Sequence, residues 1–372
     1  MYFLFYSYNI FSIVAIVALF AYAVTIYLLL IGFTKTKNFV ATNMLPKTTF
    51  SIVVPFRNEK ENLPKLLNAI AKLQYPKDFF EVLLVDDDSD DGYSLDVENW
   101  QFAIQVIKSE RKTNSPKKDA ITTAISIAKN NWIITTDADC VVPQNWLKTI
   151  DNYIQTTYKK MVVAPVKYEN RTGFLHQFQQ LDFLSLQATT IGSFGLQIPF
   201  LCNGANFAYE KAFFYTLNGF KGNDSIASGD DIFLLQKAVQ FNKKLVGYCK
   251  NNGCVVVTQS VASWQNLFQQ RVRWASKTTK SKLFAARAIA FSVFLLNFII
   301  VLGVFYVPFL MLVVMLIKLI LDGLFLRTAA GFLKVALKGF VFSFLLYPFF
   351  SAVVAVYSLF GRFNWKGRRF RK

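Results

Sequence analysis

Long apolar stretches frame a middle region in which short apolar runs alternate with amphipathic segments. Residues 1–34 contain no charged side chain, and the core of this run, Phe11 to Ile31, reaches about 30 Å as a helix, enough to cross a bilayer. Residues 288–317 form a second uncharged run, with Gly303 and Pro308 near its middle. It is too long for one untilted span and fits a tight hairpin of two short ones. Residues 339–361 form a third run, interrupted by Pro348.

The middle reads differently. Phe50–Pro55 (FSIVVP), Val82–Val85 (VLLV), Ala103–Ile107 and Trp132–Thr136 (WIITT) have the composition and length of strands. Asn58–Leu73 places Leu63, Leu66, Leu67, Ile70 and Leu73 at helical spacing, and Asp119–Lys129 gathers Ala120, Ala124, Ile127 and Ala128 on one side. Strand and helix in alternation predict a parallel, Rossmann-like α/β sheet. There is no internal repeat and no low-complexity tract.

Composition narrows the classes. Of 372 residues, 53% are hydrophobic and 17% charged, which excludes a disordered chain. The 39 Phe and 16 Tyr would overload the surface of a purely soluble domain. A formal charge of +18 calls for an anionic partner: nucleic acid, a phosphorylated substrate or an anionic membrane leaflet. The basic residues cluster beside the apolar runs, where lipid explains them, and no nucleic-acid-binding motif is present. The cysteines at 140, 202, 249 and 254 have neither metal-site spacing nor a disulfide framework. The only histidine, His176, leaves no basis for a zinc site or a His-based triad and reads as a surface or packing residue.

The first apolar run lacks the basic n-region and short core of a cleaved signal peptide. Lys35 and Lys37 follow it, so the next domain is expected in the cytoplasm. Three arrangements of the C-terminal part stay open. A hairpin at 288–317 with a crossing at 339–361 puts the basic tail (GRFNWKGRRFRK) outside. A single crossing at 288–317 puts the 318–338 loop, with Lys318, Arg327, Lys334 and Lys338, outside. A hairpin followed by a re-entrant or in-plane segment keeps both inside, and is the arrangement favoured.

Chemistry gathers at the strand ends, where ligands bind in open α/β sheets. The first strand runs into Pro55-Phe56-Arg57-Asn58-Glu59, the second into Asp86-Asp87-Asp88-Ser89 and the fourth into Asp137-Ala138-Asp139. A single Asp-rich turn is ordinarily a solvated loop or cap. Two at the ends of parallel strands read better as oxygen ligands for a hard divalent cation that also holds substrate phosphates. Pro116-Lys117-Lys118-Asp119-Ala120 is a solvated basic loop or a diphosphate contact. Asp230 and Asp231 open a helix, where the dipole alone favours acids, although a buried carboxylate there can serve as a general base. A last amphipathic segment carries Gln270-Arg271-Val272-Arg273-Trp274, with Trp264, Leu267, Phe268, Trp274 and Ala275 on one stripe and Lys277, Lys280 and Lys282 following. It reads as an interfacial helix whose Arg273 grips phosphate. Residues 171–200 put Phe174, Phe178 and Leu181 on one face, an apolar approach for a lipid acceptor or the vestibule of a polymer channel.

The ordered set VPFRNE, VDDDSDD, PKKDA, TDADC, SGDD and QRVRW resembles that of the membrane-bound family 2 glycosyltransferases, which include the cellulose, chitin and hyaluronan synthases and smaller lipid glycosyltransferases. The resemblance covers about 50–280 and the flanking spans. It implies a GT-A fold, a Rossmann-like nucleotide-sugar domain, with N- and C-terminal transmembrane helices. It puts Pro55, Arg57 and Glu59 where the first strand meets the nucleotide, and Asp87 on a uracil-type base. Lys117 matches the lysine near the diphosphate. Asp137 and Asp139 match the family's DxD motif, with Asp137 toward the nucleotide-sugar and Asp139 the metal ligand for Mg²⁺ or Mn²⁺. Asp231, preceded by Asp230, matches the catalytic base. Gln270, Arg273 and Trp274 match QxxRW, near the diphosphate and the acceptor. Asn203-Gly204-Ala205-Asn206 resembles the acceptor-side loop. Three positions depart from the pattern: Asp230 shortens the usual Glu, Arg57 replaces a common Tyr, and Pro116 replaces a Gly.

The resulting expectation is a span at 1–34, a cytoplasmic catalytic domain at 48–283, a membrane region at 284–361 and a basic tail at 362–372. The activity expected is inverting, metal-dependent transfer of a sugar from a nucleotide-sugar, a UDP-sugar foremost, to a membrane lipid or lipid-linked acceptor in cell-envelope synthesis. The alternative is a processive polysaccharide synthase. A non-catalytic scaffold is disfavoured by the intact Asp137, Asp139 and Asp231. The expected place is a bacterial inner membrane.

Overall fold

In chain order the first elements are α1 (Tyr2–Lys35), β1 (Phe50–Phe56), α2 (Leu63–Ala71), β2 (Phe80–Asp86), β3 (Ala103–Lys108), α3 (Pro116–Ile127) and β4 (Trp132–Thr135). There follow α4 (Trp146–Thr157), β5 (Met161–Val163), β6 (Val166–Tyr168), α5 (Phe174–Gly195), β7 (Phe207–Glu210), α6 (Lys211–Thr216), α7 (Asp230–Asn242), β8 (Val246–Tyr248) and β9 (Val256–Thr258). The chain ends with α8 (Trp264–Thr278), α9 (Phe284–Tyr306), α10 (Pro308–Leu333), α11 (Phe340–Phe360), β10 (Phe363–Trp365) and β11 (Arg368–Phe370). The structure is a computed structural model that describes residues 2–95, 98, 100–223, 228–278, 281, 283–360, 363–366 and 368–370. It divides into two units, one of Thr36–Glu169 and Pro199–Gln259, the other of Met1–Lys35, Asn170–Ile198 and Ser260–Lys372.

The first unit is built on a sheet of order β3-β2-β1-β4-β7-β5-β8. β1 pairs in parallel with β2 and with β4, and β2 with β3. β7 runs antiparallel to both β4 and β5. Phe50, Ile52, Val53 and Val54 of β1 are fully buried, which is why this run shows no alternation: both of its faces are covered. Each such side chain contributes about 1.5–3 kcal/mol on burial. The four strands expected from sequence are present to within two residues at each end.

The helices shifted more. α2 starts at Leu63 rather than Asn58, because Asn58 takes a left-handed backbone (φ 55°) and the Glu59 carbonyl caps the first turn from outside. α3 starts at Pro116 rather than Asp119, since proline at the first position is already set for a helix. The expected lysine loop is therefore the first turn of α3.

The second unit is helical. α1 from Asn9, α9, α10 and α11 are each long and apolar enough to cross a membrane. α1 meets α5 backbone to backbone: a Cβ on Gly32 would stand 2.0 Å from the Gly192 carbonyl oxygen. Small residues permit such contact where no hydrophobic effect drives helices together. The run 288–317 does break near Pro308, but α10 continues through Lys318, Asp322 and Arg327, which sequence alone assigned to a loop. The charges are tolerated because Lys318 pairs with Asp322 one turn on, and the Tyr22 hydroxyl of α1 donates to the other Asp322 oxygen. The Lys318 ammonium also lies over the rings of Phe344 (5.1 Å) and Tyr22 (5.2 Å).

The stripe of α8 and the apolar face of α5 were expected to meet lipid, but side chains of this chain cover much of them. Phe178 packs on Trp264 (5.2 Å between centroids) and Phe350 (5.1 Å), and Phe268 packs on Tyr357 (5.2 Å). Phe178 and Leu181 are buried, leaving only Phe174 of that face exposed. An apolar stripe does not record whether protein or lipid covers it. Lys280 and Lys282 lie outside the described residues. His176 is a packing residue, its Nδ1 2.9 Å from Ser260 Oγ in a buried contact.

Candidate active site

In the parallel half-sheet the chain moves outward from β1 to β2 and β3, then returns to place β4 on the other side. The switch point falls between β1 and β4, and a ligand cleft is expected beyond their carboxyl ends. Three of the expected clusters lie at these ends.

At the ends of β1 and β2, Arg57 donates through Nη1 to the Asp87 carbonyl (3.0 Å). Asn58 ties the two turns together, its Nδ2 2.6 Å from Asp90 Oδ1 and its backbone N–H 3.0 Å from Ser89 Oγ. Asp87 is buried, and burial raises its carboxyl above the usual range, opposed by Arg111 and then Arg57. Arg111 donates from Nε to Asp87 Oδ1 (2.8 Å), and its Nη2 reaches Asp88 (3.0 Å). Arg111 was not anticipated: it sits in an irregular segment without a motif. That segment is pinned by Asp119, which accepts from the Lys112 and Thr113 N–H groups (3.1 and 2.8 Å) and from the Thr113 hydroxyl (2.9 Å). Pro55 forms the penultimate position of β1. Glu59 accepts from Asn62 Nδ2 (2.6 Å), and Asn62 in turn accepts from Gln259 Nε2 (2.9 Å).

A second cluster joins β4, α3 and α7. Lys117, in the first turn of α3, places Nζ 2.6 Å from Asp137 Oδ1 and 3.7 Å from Asp230 Oδ2. Burial alone would lower the Lys117 ammonium, but Asp137, Asp230 and Asp231 outweigh it and carry the group well above its ordinary range. It is a fixed cation at any physiological pH. Asp230 and Asp231 form the first turn of α7, after Gly229 in a left-handed conformation (φ 84°). Asp231 Oδ2 accepts from the Gly204 N–H (3.0 Å), while Oδ1 accepts from the Ile232 N–H (2.7 Å). Gly204 is fitted into this cluster: a Cβ there would lie 3.2 Å from Asp230 Oδ2 and 3.5 Å from Lys117 Nζ. The expected acceptor-side loop thus supplies a backbone donor to the expected base.

Asp139 lies two residues past Asp137 and accepts from Thr258 Oγ1 (3.3 Å). Among the described residues no three His, Cys, Asp or Glu side chains converge as a complete metal cage. The donor chemistry nevertheless fits Mg²⁺ or Mn²⁺, which take one or two carboxylates and fill other positions with phosphate oxygens and water. Asp137 and Asp139 are the two carboxylates that would hold it.

Gln270, Arg273 and Trp274 lie on α8 of the helical unit, each partly exposed. Between them Arg271 turns inward and is buried.

A parallel half-sheet with acids at its switch point, extended by an antiparallel strand, defines a GT-A-type domain. A solved structure with this fold is that of the mannosyltransferase PcManGT from Pyrobaculum calidifontis in complex with GDP-Man and Mn²⁺; it aligns with 94% of this chain and 99% of its own at a TM-score of 0.56 and 18% identity. Residues 51–217 match the glycosyl transferase family 2 model. Curated relatives of the chain include the poly(ribitol-phosphate) beta-N-acetylglucosaminyltransferase TarS of Staphylococcus aureus, 30% identical over 126 residues, or 33% of this chain and 22% of the relative. The glycosyltransferase GlyG of Streptococcus pneumoniae is 24% identical over 238 residues, 58% of this chain and 75% of the relative. The chain thus spans about a fifth of the TarS sequence.

Proposed function

We propose that the chain is an inverting glycosyltransferase of a bacterial inner membrane that moves a sugar from a nucleotide-sugar, a UDP-sugar foremost, to a membrane lipid or lipid-linked acceptor. The observation that carries this reading is the carboxylate of Asp231, aimed by the Gly204 N–H and set beside the Lys117–Asp137–Asp230 cluster at the sheet's switch point. Relatives and a fold neighbour named for sugar transfer support it.

On this reading each group has a task. Asp87, with Arg57 and Arg111, receives the base of the donor. Asp231 takes the proton of an acceptor hydroxyl as its oxygen attacks the anomeric carbon. The bond from that carbon to the diphosphate breaks, the nucleoside diphosphate leaves with the electron pair, and a single displacement inverts the centre. Lys117 is available to the negative charge that develops on the diphosphate. A divalent cation held by Asp137 and Asp139 would add Lewis-acid stabilisation of the same charge. The resemblance to QxxRW would assign Gln270, Arg273 and Trp274 to the diphosphate and acceptor.

For topology, Lys35 and Lys37 after α1 and Lys334 and Lys338 after α10 support a cytoplasmic catalytic unit, with α9 and α10 as an out-and-back pair. The ring pairs Trp264–Phe350 and Phe268–Tyr357 advance along α8 and α11 in the same sense, and β10 packs on α8. This supports the arrangement in which the basic tail stays on the cytoplasmic side and α11 is re-entrant or lies in the plane.

The test uses purified protein in nanodiscs with Mg²⁺ or Mn²⁺, a panel of UDP- and GDP-sugars and a total membrane lipid extract, read by mass spectrometry. Nucleoside diphosphate release with one lipid gaining a single sugar is the expected result. A ladder of masses would make the enzyme a processive synthase. No release from any donor, with Asp231→Asn indistinguishable from the parent, would sink the reading.

A further inference from the structure

We propose that Arg271 and Asp182 are positioning residues of this transfer, which set the orientation of Gln270 and Trp274 on α8; the inference rests on the function proposed above. Arg271 lies inside the QRVRW run but is not one of the residues matched to the motif. Its guanidinium serves three neighbours at once. Nε donates to Asp182 of α5 in a pair whose side chains are 7% and 8% exposed. Nη1 donates to the side-chain oxygen of Gln270. The guanidinium carbon stands 4.2 Å from the centroid of the Trp274 ring, which also faces Phe183 of α5 at 6.2 Å. Tyr347 of α11 also interacts with Asp182 and Arg271.

A planar fork of donors fixes direction as well as distance, which an ammonium does not. Gln270 is held by Nη1 and Trp274 by the flat face, while Nε is anchored to an acid on a neighbouring helix. The rotation of both motif side chains about α8 is thereby tied to α5. Stability alone does not require such a pair: a buried ion pair is often no better than apolar residues of similar volume. What it adds here is orientation, and roughly 1 Å of misplacement near a reacting centre can cost about 10²-fold in rate.

The test compares Arg271→Lys, Asp182→Asn and their double variant, with Arg271→Met/Asp182→Leu as an apolar pair that removes the charges together and keeps the volume. Each is measured in nanodiscs for melting temperature, donor KM and kcat. The expected result is a kcat lowered about 10–100-fold in every variant, with donor KM changed less than about threefold and the double variant no slower than the singles. Variants that melt with the parent and match its kcat would overturn the proposal. So would an apolar pair with full kcat, since orientation would then not depend on the fork. A parent protein silent with every donor would remove the function reading and this inference together. An active parent with equally active variants would remove this inference alone.

Discussion

The Lys117 ammonium stands 2.6 Å from Asp137 and 3.7 Å from Asp230, so one cation links the end of a parallel strand to the start of the helix that carries the proposed base. Lys117→Met would leave those acids facing one another without a counter-charge. Turnover is expected to fall at least about 10²-fold, with weaker donor binding, because like charges would repel the incoming diphosphate. Calorimetric titration with the donor checks this; unchanged affinity would refute it.

Asp231→Asn keeps shape and loses the acceptor of a proton. The expected loss in kcat is about 10²–10⁴-fold, with donor affinity close to that of the parent. Single-turnover release of nucleoside diphosphate separates the two quantities. A loss confined to donor binding would move Asp231 out of the base role.

Gly204 leaves no room for a branched side chain. Even the Cβ of Gly204→Ala would press on Asp230 Oδ2 at 3.2 Å, and Gly204→Val should displace the carboxylates and cost about 1–3 kcal/mol. Activity is expected to fall in the order Gly, Ala, Val, tracked by turnover beside thermal melting. Equal activity across the series would show that the cradle is not needed.

Lys250 gives a pH test away from the site. Its Nζ donates to the Thr36 carbonyl (2.9 Å), and burial lowers the ammonium from 10.5 to about 8. Between those two values the unfolded chain binds the proton and the folded chain does not, so unfolding free energy rises with pH across that window. The cost of burying the charge is present in full below about 8 and is relieved as pH climbs toward 10.5. Lys250→Met should lack this rise. Melting curves from pH 7 to 10 compare the slopes, and parallel slopes would contradict the assignment.

In the helical unit, Lys318→Met alone strands Asp322 and is expected to cost about 3–5 kcal/mol, whereas Tyr22→Phe/Lys318→Met/Asp322→Leu removes all three polar groups and should recover most of it. Unfolding in mixed micelles by a denaturing detergent measures both. A triple variant as unstable as the single one would assign the pair a different role.

Much of the central sheet was legible because short apolar runs bounded by turn signals read as strands when helices alternate with them, the buried β1, β2 and β4 as well as the exposed edge strand β3. The strand-end acids were legible for the same reason, since the ends of such strands are where ligands sit. β5, β8 and β9 were not: strands of three residues carry no periodicity. Arg111 escaped because its position depends on the turn that Asp119 pins; the Gly204 loop was expected on the acceptor side, but its bond to Asp231 was not, because a backbone N–H leaves no trace in a side-chain pattern. The course of α10 was misread since pairing between Lys318 and Asp322 neutralises charges that, counted singly, end a span.

The contact between Gly32 and Gly192 sets a timetable for biosynthesis. α1 is made first, yet the helix that lies against its backbone is made only after most of the sheet domain. At about 5–20 residues per second the wait is on the order of ten seconds. During it α1 must be held by lipid or by the insertion machinery, its glycine notch uncovered, while β1 to β4 can already form their parallel core. The helical unit is thus assembled around a helix that arrives early and waits.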